Sequence, residues 1–395
     1  MIPRAAHPEI LSLARQFKAV AIVGPRQSGK TTLAKAIFPN KAYVNFENPD
    51  IRLFATEDPR GFLSNYKEGA IFDEAQRVPD LFSYLQQILD ESTTKGLFII
   101  TGSNNFLLQE RISQSLAGRV GYLHLLPLAL SEMQPSLRGD LNTILLKGGY
   151  PSLHAEAIHI NQWYTNYIRT YVERDVRLIK NISSLHLFER FLRLCAGRVG
   201  QLFNASSLAI EVGVDAKTIQ SWLGILETSF VAFRLQPYHN SFNKRLVKMP
   251  KLYFYDTGLL AALLNIEHVK QLDTHMYRGN LFENLVVLEV IKSRYNQANL
   301  NPLYFWRASN GQEIDLLIEK YNQRIPVEIK AGQTVTPDYF KGIRYWRSLT
   351  QATDHEKAYV VYAGAEAQSR SANIKVLPYS ELDELTKKED QQSKF

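Results

Sequence analysis

The chain has 395 residues, a formal net charge of +7 and 45% hydrophobic residues. This length exceeds what one ordinary hydrophobic core needs, so two to four domains are expected, and the composition excludes a disordered chain. No apolar run is long enough to cross a membrane, and the first residues lack the apolar stretch of a signal peptide.

The single cysteine, Cys195, excludes a disulfide within the chain. A reducing, cytoplasmic location is therefore expected. The positive net charge favours an anionic partner, but many basic proteins bind no nucleic acid, so charge alone does not select one.

The most informative stretch follows an apolar segment, residues 19–23, that predicts a buried parallel strand. It fits the phosphate-binding P-loop pattern G-x-x-x-x-G-K-[ST] and reads Gly24, Pro25, Arg26, Gln27, Ser28, Gly29, Lys30 and Thr31, followed by Thr32. Residues 31–37 predict the helix that such a loop precedes. Backbone N–H groups of the loop and the helix N-terminus would bind the phosphates of ATP. Lys30 is expected to reach the β and γ phosphates, and Thr31 to bind Mg²⁺.

A second polar group is expected at the same edge of the sheet. Residues 69–72 predict another apolar strand, and Asp73 and Glu74 follow directly, as in a Walker B motif. Asp73 would hold Mg²⁺ through water, and Glu74 would orient and polarise the attacking water. Ser103 and Asn104 follow the strand predicted at 97–101 and are candidates for a sensor of the γ phosphate, or form a simple polar turn.

The remaining elements of the first 130 residues are predicted from apolar spacing. Helices are expected at 5–17, 80–91 and 106–117, a helix with a loop at 49–65, and further strands at 43–46 and 120–125. Five strands that alternate with helices predict a three-layer α/β domain with a parallel sheet.

These motifs, together with Asp73 to Gln76, Thr101 to Ser103 and Ser115 to Arg119, resemble the additional-strand P-loop ATPases of AAA type. More narrowly, they resemble a bacterial and archaeal family that joins this ATPase to a winged helix and a restriction-endonuclease-like C-terminal region. The resemblance implies that Arg119, or otherwise Arg111, acts as an arginine finger, often on a neighbouring subunit of a homo-oligomer. A salt bridge at a helix end is the alternative role of Arg119.

Beyond residue 130, the sequence predicts a helical lid or connector at 131–182, including a long helix at about 158–179. A helix-turn-helix follows, with helices at 205–212 and 216–226 joined through Gly213. Strands at 230–235 and 251–255 would form its wing, with Lys244, Arg245 and Lys248 between them. Residues 186–256 hold nine Lys or Arg against five Asp or Glu, which favours phosphate contacts with DNA. Such domains also serve as lids or protein contacts.

The last domain, expected at 272–380 before a polar tail at 381–395, carries another constellation. Asp315 and the run Glu328-Ile329-Lys330 resemble the PD-(D/E)xK nuclease pattern, and Glu283 matches the additional metal-site acid. The strand period of two predicts Glu328 and Lys330 on one face. Glu283, Asp315 and Glu328 would share a metal ion, with Lys330 beside them.

The sequence therefore predicts an ATP- and Mg²⁺-dependent ATPase with a winged helix at 183–271 and a nuclease-like domain. It is expected to process or bind DNA and not to bind membranes. The alternative is a nucleotide-controlled switch with a non-catalytic C-terminal scaffold. A helicase-like motor ranks last, because neither separate helicase motifs nor a second P-loop are present.

Overall fold

The computed structural model describes residues 1–103, 112, 114–172, 184–238, 248–320, 323–350, 353 and 355–386. Several helices begin where an Asp, Asn or Ser side chain accepts a hydrogen bond from a first-turn N–H group. These caps are Asn48, Asp58, Asp140, Ser184, Asn204, Asp215 and Asp256. The sequence thus fixes many helix starts through local polar contacts.

The first sheet contains five parallel strands, as the sequence predicts. They are β1 (Ala19–Val23), β2 (Ala42–Asn45), β3 (Ala70–Asp73), β4 (Phe98–Gly102) and β5 (Val120–His124), in the order β2-β3-β4-β1-β5. Strand β4 lies between the P-loop strand β1 and the Walker B strand β3. This is the additional strand that the resemblance implies.

Helices cover both faces of this sheet and complete three layers. They are α1 (His7–Gln16), α2 (Lys30–Ile37), α3 (Pro49–Glu57), α4 (Pro59–Ser64) and α5 (Leu81–Glu91). Alternate residues of β1 enter different cores: Val20 and Ile22 pack with α1 and α2, whereas Ala21 faces the larger core on the other side. Most of the helix predicted at 106–117 lies outside the described residues.

The connector that follows is built from short helices: α6 (Leu141–Lys147), α7 (Pro151–Ala155) and α8 (Ile160–Tyr167). The helix predicted at about 158–179 is helical in its described part, since α8 passes directly into a π-helical turn at Ile168–Val172. Tyr164 and Tyr167 of this segment are buried and belong to the core. Residues 173–183 lie outside the described part.

The next three helices are α9 (Leu185–Ala196), α10 (Ala205–Val212) and α11 (Ala216–Thr228). A short turn joins α10 to α11, and Gly213 in it has a φ of 88°, which glycine adopts without strain. Helix α11 buries Ile219, Trp222 and Leu226. Both helices therefore occupy the positions that the sequence predicts.

The second sheet has eight strands. They are β6 (Ala232–Pro237), β7 (Lys251–Phe254), β8 (Leu303–Arg307), β9 (Glu313–Lys320), β10 (Gln323–Lys330), β11 (Ala358–Tyr362), β12 (Gln368–Arg370) and β13 (Ile374–Pro378). Their order is β12-β13-β11-β10-β9-β8-β6-β7. Helices α12 (Thr257–Leu263), α13 (Arg278–Tyr295), α14 (Lys341–Thr350) and α15 (Asp383–Thr386) complete this half. Strands β11 to β13 and helix α14 were not predicted from the sequence.

Short 3-10 helices occur between these elements, at Ala75–Arg77, Leu130–Glu132, Pro135–Leu137, Val269–Asp273, Pro337–Phe340 and Tyr379–Glu381. The last of them and α15 contain buried residues, Tyr379 and Leu385. The predicted polar tail therefore begins later than residue 381, and residues 387–395 lie outside the described part.

The eight-stranded sheet crosses the domain boundary predicted at residues 271 and 272. Strand β6, predicted as part of a separate wing, pairs in parallel with β8 of the C-terminal half. Asn284 in α13 also binds both backbone groups of Phe254 in β7: its oxygen accepts from the N–H at 2.7 Å, and its amide donates to the carbonyl at 3.0 Å. The predicted wing is therefore the edge of a larger sheet.

Asn284 gives a direct test of this connection. It is fully buried, and Asn284→Leu would leave the N–H and C=O groups of Phe254 without partners. We expect the free energy of unfolding to fall by about 2–5 kcal/mol, as measured by urea denaturation. The control Asn161→Ala removes one hydrogen bond at the surface and should cost below about 1 kcal/mol. Equal losses would show that β7 and α13 are not coupled.

Candidate functional site

The P-loop connects the end of β1 to α2 and has the backbone geometry that a phosphate cradle requires. Gln27 and Gly29 both have positive φ, 61° and 92°, so successive N–H groups can converge on one point. The ammonium of Lys30 is 5% exposed and donates to the carbonyls of Gly24 and Pro25 at 3.0 and 2.7 Å. Burial lowers the pKa of Lys30 to about 8, although Glu74 and Asp73 oppose the change.

Asp73 lies at the carboxyl end of β3 and is held by three hydroxyl groups. Thr31 donates to both carboxylate oxygens at 3.0 Å, Tyr43 donates to Oδ2 at 2.7 Å, and Thr101 also donates to the carboxylate. These contacts keep Asp73 beside the first turn of α2. A hydroxyl and a carboxylate side by side are the oxygen ligands that Mg²⁺ prefers.

Glu74 follows in a left-handed conformation, with φ of 56° and ψ of 42°. Such backbone geometry is costly for a residue with a side chain and is common at functional sites. Its Oε2 accepts hydrogen bonds from Gln76 at 2.6 Å and from Ser103 at 2.9 Å. The carboxylate of Glu74 is thereby fixed beside Lys30 and Asp73, where a general base for water would be needed.

A cavity of about 540 Å³ opens over these groups. Its polar wall includes Lys30, Thr31 and Glu74, and its apolar wall includes Ile2, Leu128 and Pro151. Its lining also contains the predicted residues Arg26, Gln27, Gly29 and Thr32. The donor set of an ammonium, hydroxyls and carboxylates fits a triphosphate with Mg²⁺. The sensor candidate Asn104 lies outside the described residues, as does Arg111.

Two residues of this site were missed in the sequence. Tyr43 comes from the edge strand β2 and holds Asp73. Arg4 precedes α1 and contacts the carbonyl of Ser28 in the P-loop at 2.7 Å. Neither belongs to a recognisable motif, and only the fold brings them to the site. Because side chains alternate between the two faces of a strand, the position of Tyr43 could have indicated its face, but not Asp73 as its partner.

Arg119 lies elsewhere. It precedes the first residue of β5, and its carbonyl accepts from the N–H of Ala19 at the start of β1. Because all five strands are parallel, this is the edge opposite the P-loop. The guanidinium forms a partly exposed salt bridge with Asp90, with Nη2 3.0 Å from Oδ2. The structure therefore does not bring Arg119 to the P-loop of its own chain.

The C-terminal candidates differ in their hydrogen-bond partners. Asp315, Glu328 and Lys330 lie together, since the Lys330 ammonium is 3.3 Å from Asp315 Oδ2 and 2.6 Å from Glu328 Oε2. Glu283 instead accepts from Lys251 at 2.9 Å and from Tyr253 at 2.6 Å. Among the described residues, no three His, Cys, Asp or Glu side chains lie close enough to hold a metal ion. The predicted convergence of Asp315 and Glu328 beside Lys330 is therefore observed, whereas the described residues do not form the predicted site of three carboxylates around one ion.

Burial and an internal cation explain this difference. Burial and the nearby Asp315 raise the pKa of Glu328 to about 8, although the Lys330 ammonium opposes the change. A side chain on Gly342 of α14 would overlap the Glu328 carboxylate, so this helix covers Glu328 closely. The ammonium of Lys251, 3% exposed, bridges Glu283 and Glu313. A protein cation thus lies among carboxylates that were expected to bind metal.

The class of protein follows from the first sheet and its site: residues 16–134 match the family model described as an AAA domain. Residues 16–134 therefore form a P-loop ATPase-like domain of AAA type. Residues 138–270 and 278–382 match two domains of unknown function, DUF8612 and DUF4143. No helix of the described residues is long and apolar enough to span a membrane.

Relatives extend this likeness over most of the chain. An uncharacterized protein of Mycobacterium tuberculosis is 31% identical over 367 residues, which cover 92% of this chain and 80% of that protein. One of Haemophilus influenzae is 22% identical over 78% of this chain and 81% of its own. A Walker-type ATPase of Pyrococcus abyssi, 14% identical, aligns with 67% of this chain and 96% of its own at a TM-score of 0.43. The chain belongs to the family of the mycobacterial protein.

The lowered pKa of Lys30 predicts a pH dependence of ATP binding. Phosphates favour the charged ammonium and raise its pKa in the complex, so binding should be strongest below about pH 8 and weaken as the pH rises through this value. We expect a fall of up to about tenfold per pH unit above pH 8, measured by calorimetry between pH 7.5 and 9.5. Lys30→Arg stays charged throughout, and an equally steep fall in that variant would exclude Lys30 as the titrating group.

Proposed function

We propose that the chain binds and hydrolyses ATP with Mg²⁺, and that its nucleotide state controls a contact with DNA. The C-terminal half then serves as a scaffold without nuclease activity. The observation that carries the ATPase part is the joint position of Lys30, Thr31 and Glu74 around one cavity, with Asp73 bound to the hydroxyl of Thr31. Thr31 and Asp73 would hold Mg²⁺, and Glu74 would accept the proton of the attacking water.

Two substitutions separate nucleotide binding from turnover. Lys30→Ala removes the ammonium and with it at least one charge-assisted hydrogen bond to the phosphates. ATP binding should therefore weaken at least tenfold. Glu74→Gln keeps the shape of the site but loses the base, so ATP should still bind while turnover falls about 100-fold or more. Calorimetry and phosphate release measure the two effects.

Lys18→Ala is the matched control. Lys18 also donates to a backbone carbonyl, that of Leu89, but it precedes β1 at the opposite edge of the sheet. This variant should bind and hydrolyse ATP as the wild type does. Wild-type turnover in Glu74→Gln would remove Glu74 from the mechanism, and full affinity in Lys30→Ala would remove the P-loop assignment.

The proposed DNA contact uses α11. Lys217, Gln220 and Gly224 are spaced three and four residues apart on one helix face. Lys217 and Gln220 are exposed, and a Cβ at Gly224 would meet open space. An accessible face with a lysine and an amide resembles the recognition helix of a helix-turn-helix.

The net positive charge of residues 186–256 is weaker support for a DNA contact than the sequence suggested, because several of the cations are paired within the protein. Arg198 pairs with Glu211, and Arg234 pairs with Glu227 in two hydrogen bonds of 2.7 Å. Lys251 is also neutralised within the protein. Of the basic loop, Lys248 is exposed, while Lys244 and Arg245 lie outside the described residues. The proposal therefore rests on Lys217 and Lys248 among the described basic residues.

Charge reversal tests the contact. Lys217→Glu combined with Lys248→Glu should weaken DNA binding and reduce the slope of log affinity against log salt by about 1–2, because phosphate contacts are lost. Lys67→Glu makes the same kind of charge change at an exposed position of the ATPase domain and should have no such effect. Fluorescence anisotropy at several salt concentrations gives both quantities. An unchanged slope in the double variant would favour a lid or protein contact.

The scaffold role is supported by the internal pairing of the C-terminal carboxylates with Lys251 and Lys330. A metal ion would have to compete with the ammonium groups of Lys251 and Lys330 for these carboxylates. The nuclease alternative requires that displacement. Arg119, at the edge opposite the P-loop, is proposed to serve only a neighbouring copy of the chain.

A further inference from the structure

Arg4 has a buried environment that no sequence motif indicates. Only 8% of the residue is exposed, and all three nitrogens of its guanidinium donate hydrogen bonds. Nη1 donates to the carbonyl of Ser28 at 2.7 Å, Nη2 to the carbonyl of Leu126 at 2.6 Å, and Nε to Glu132 Oε1 at 3.0 Å. Arg4 therefore joins the P-loop to the segment that follows β5.

Glu132 holds this arginine in place. The same Oε1 accepts from the N–H of Ala5 at 2.6 Å, and Oε2 accepts from the N–H of Ala129 at 2.7 Å. The side chains of Arg4 and Glu132 are 5% and 3% exposed, so the ion pair is screened little by solvent. Both carboxylate oxygens are used, which leaves the guanidinium little freedom to turn away.

The contact with Ser28 has a consequence for phosphate binding. In a planar trans peptide unit, the C=O and N–H groups point in opposite directions. Because Arg4 binds the carbonyl of Ser28, the N–H of Gly29 in the same peptide unit is directed away from Arg4. Gly29 lies in the loop whose N–H groups would bind the triphosphate, and Arg4 itself lines the cavity.

We propose that Arg4 is a positioning residue for nucleotide binding: it fixes the Ser28–Gly29 peptide unit so that the P-loop is already shaped for phosphate. This inference rests on the proposed ATP binding. The rigid loop loses less conformational freedom when the nucleotide binds, which increases affinity. Arg4 acts on affinity and not on the chemical step, because it contacts the loop and not the attacking water.

Arg4→Met tests this role, since methionine preserves much of the apolar stem but donates no hydrogen bonds. ATP and inorganic tripolyphosphate should both bind about tenfold to hundredfold more weakly, and KM should rise more than kcat falls. Arg4→Lys should recover part of the affinity, because one ammonium can reach one of the two carbonyls. Calorimetry and steady-state phosphate release supply these values.

Arg347→Met is the matched control. Arg347 is also 8% exposed and donates to a backbone carbonyl, that of Glu356, at 2.6 Å, but it lies in α14 of the other half. This variant should lose thermal stability and keep its ATP affinity. Arg4→Met with an affinity within about twofold of the wild type would overturn the role of Arg4 alone. A wild-type protein that binds no ATP would overturn the proposed function and, with it, this inference.

Discussion

The carboxylate of Asp73 connects the parts of the ATPase site. Its three hydroxyl donors come from α2, β2 and β4, so one buried side chain fixes the P-loop helix and two strands relative to β3. Asp73 is 5% exposed, and a buried carboxylate without donors would be costly. The hydrogen bonds offset this cost and leave the residue at the sheet edge where Mg²⁺ with ATP is expected. The rest of the site depends on that position.

Buried polar contacts link this site to the C-terminal half. The N–H of Leu130 donates to Glu289 Oε2 at 2.7 Å, and Lys292 donates to the carbonyl of Leu128, also at 2.7 Å. Glu289 and Lys292 both belong to α13, which packs on the second sheet. The segment that Arg4 binds is thus attached to the long helix of the other half. This attachment joins the segment beside the P-loop to the second sheet.

Local sequence patterns predicted much of the first sheet but less of the second. The strands of the P-loop domain are short, apolar and separated by helices, so their parallel arrangement follows from connection rules. The pairing of β6 with β8 joins residues about 70 positions apart, and no local pattern encodes such a register. Strands β11 to β13 were also missed; β12 consists of three polar residues, whose sequence carries no strand pattern.

The residues of the functional site were also only partly predictable from local sequence. The glycines, Lys30 and the acidic pair follow a spacing that chemistry requires, so the sequence indicated them. Arg4 and Tyr43 reach the site only through tertiary packing. The C-terminal carboxylates illustrate the converse: their spacing matched a metal site, but Lys251 from β7 lies 2.9 Å from Glu283 Oε1. The residue types alone could not reveal that a cation of the protein was already present.

We expect a divalent metal ion to bind at the P-loop site together with ATP and not at the C-terminal carboxylates. Counting bound Mn²⁺ by electron paramagnetic resonance tests this assignment most directly. The wild-type chain should bind one Mn²⁺ when ATP is present and none without it. An Mn²⁺ ion that binds without ATP, and that Asp315→Ala removes, would contradict the account and restore the nuclease alternative.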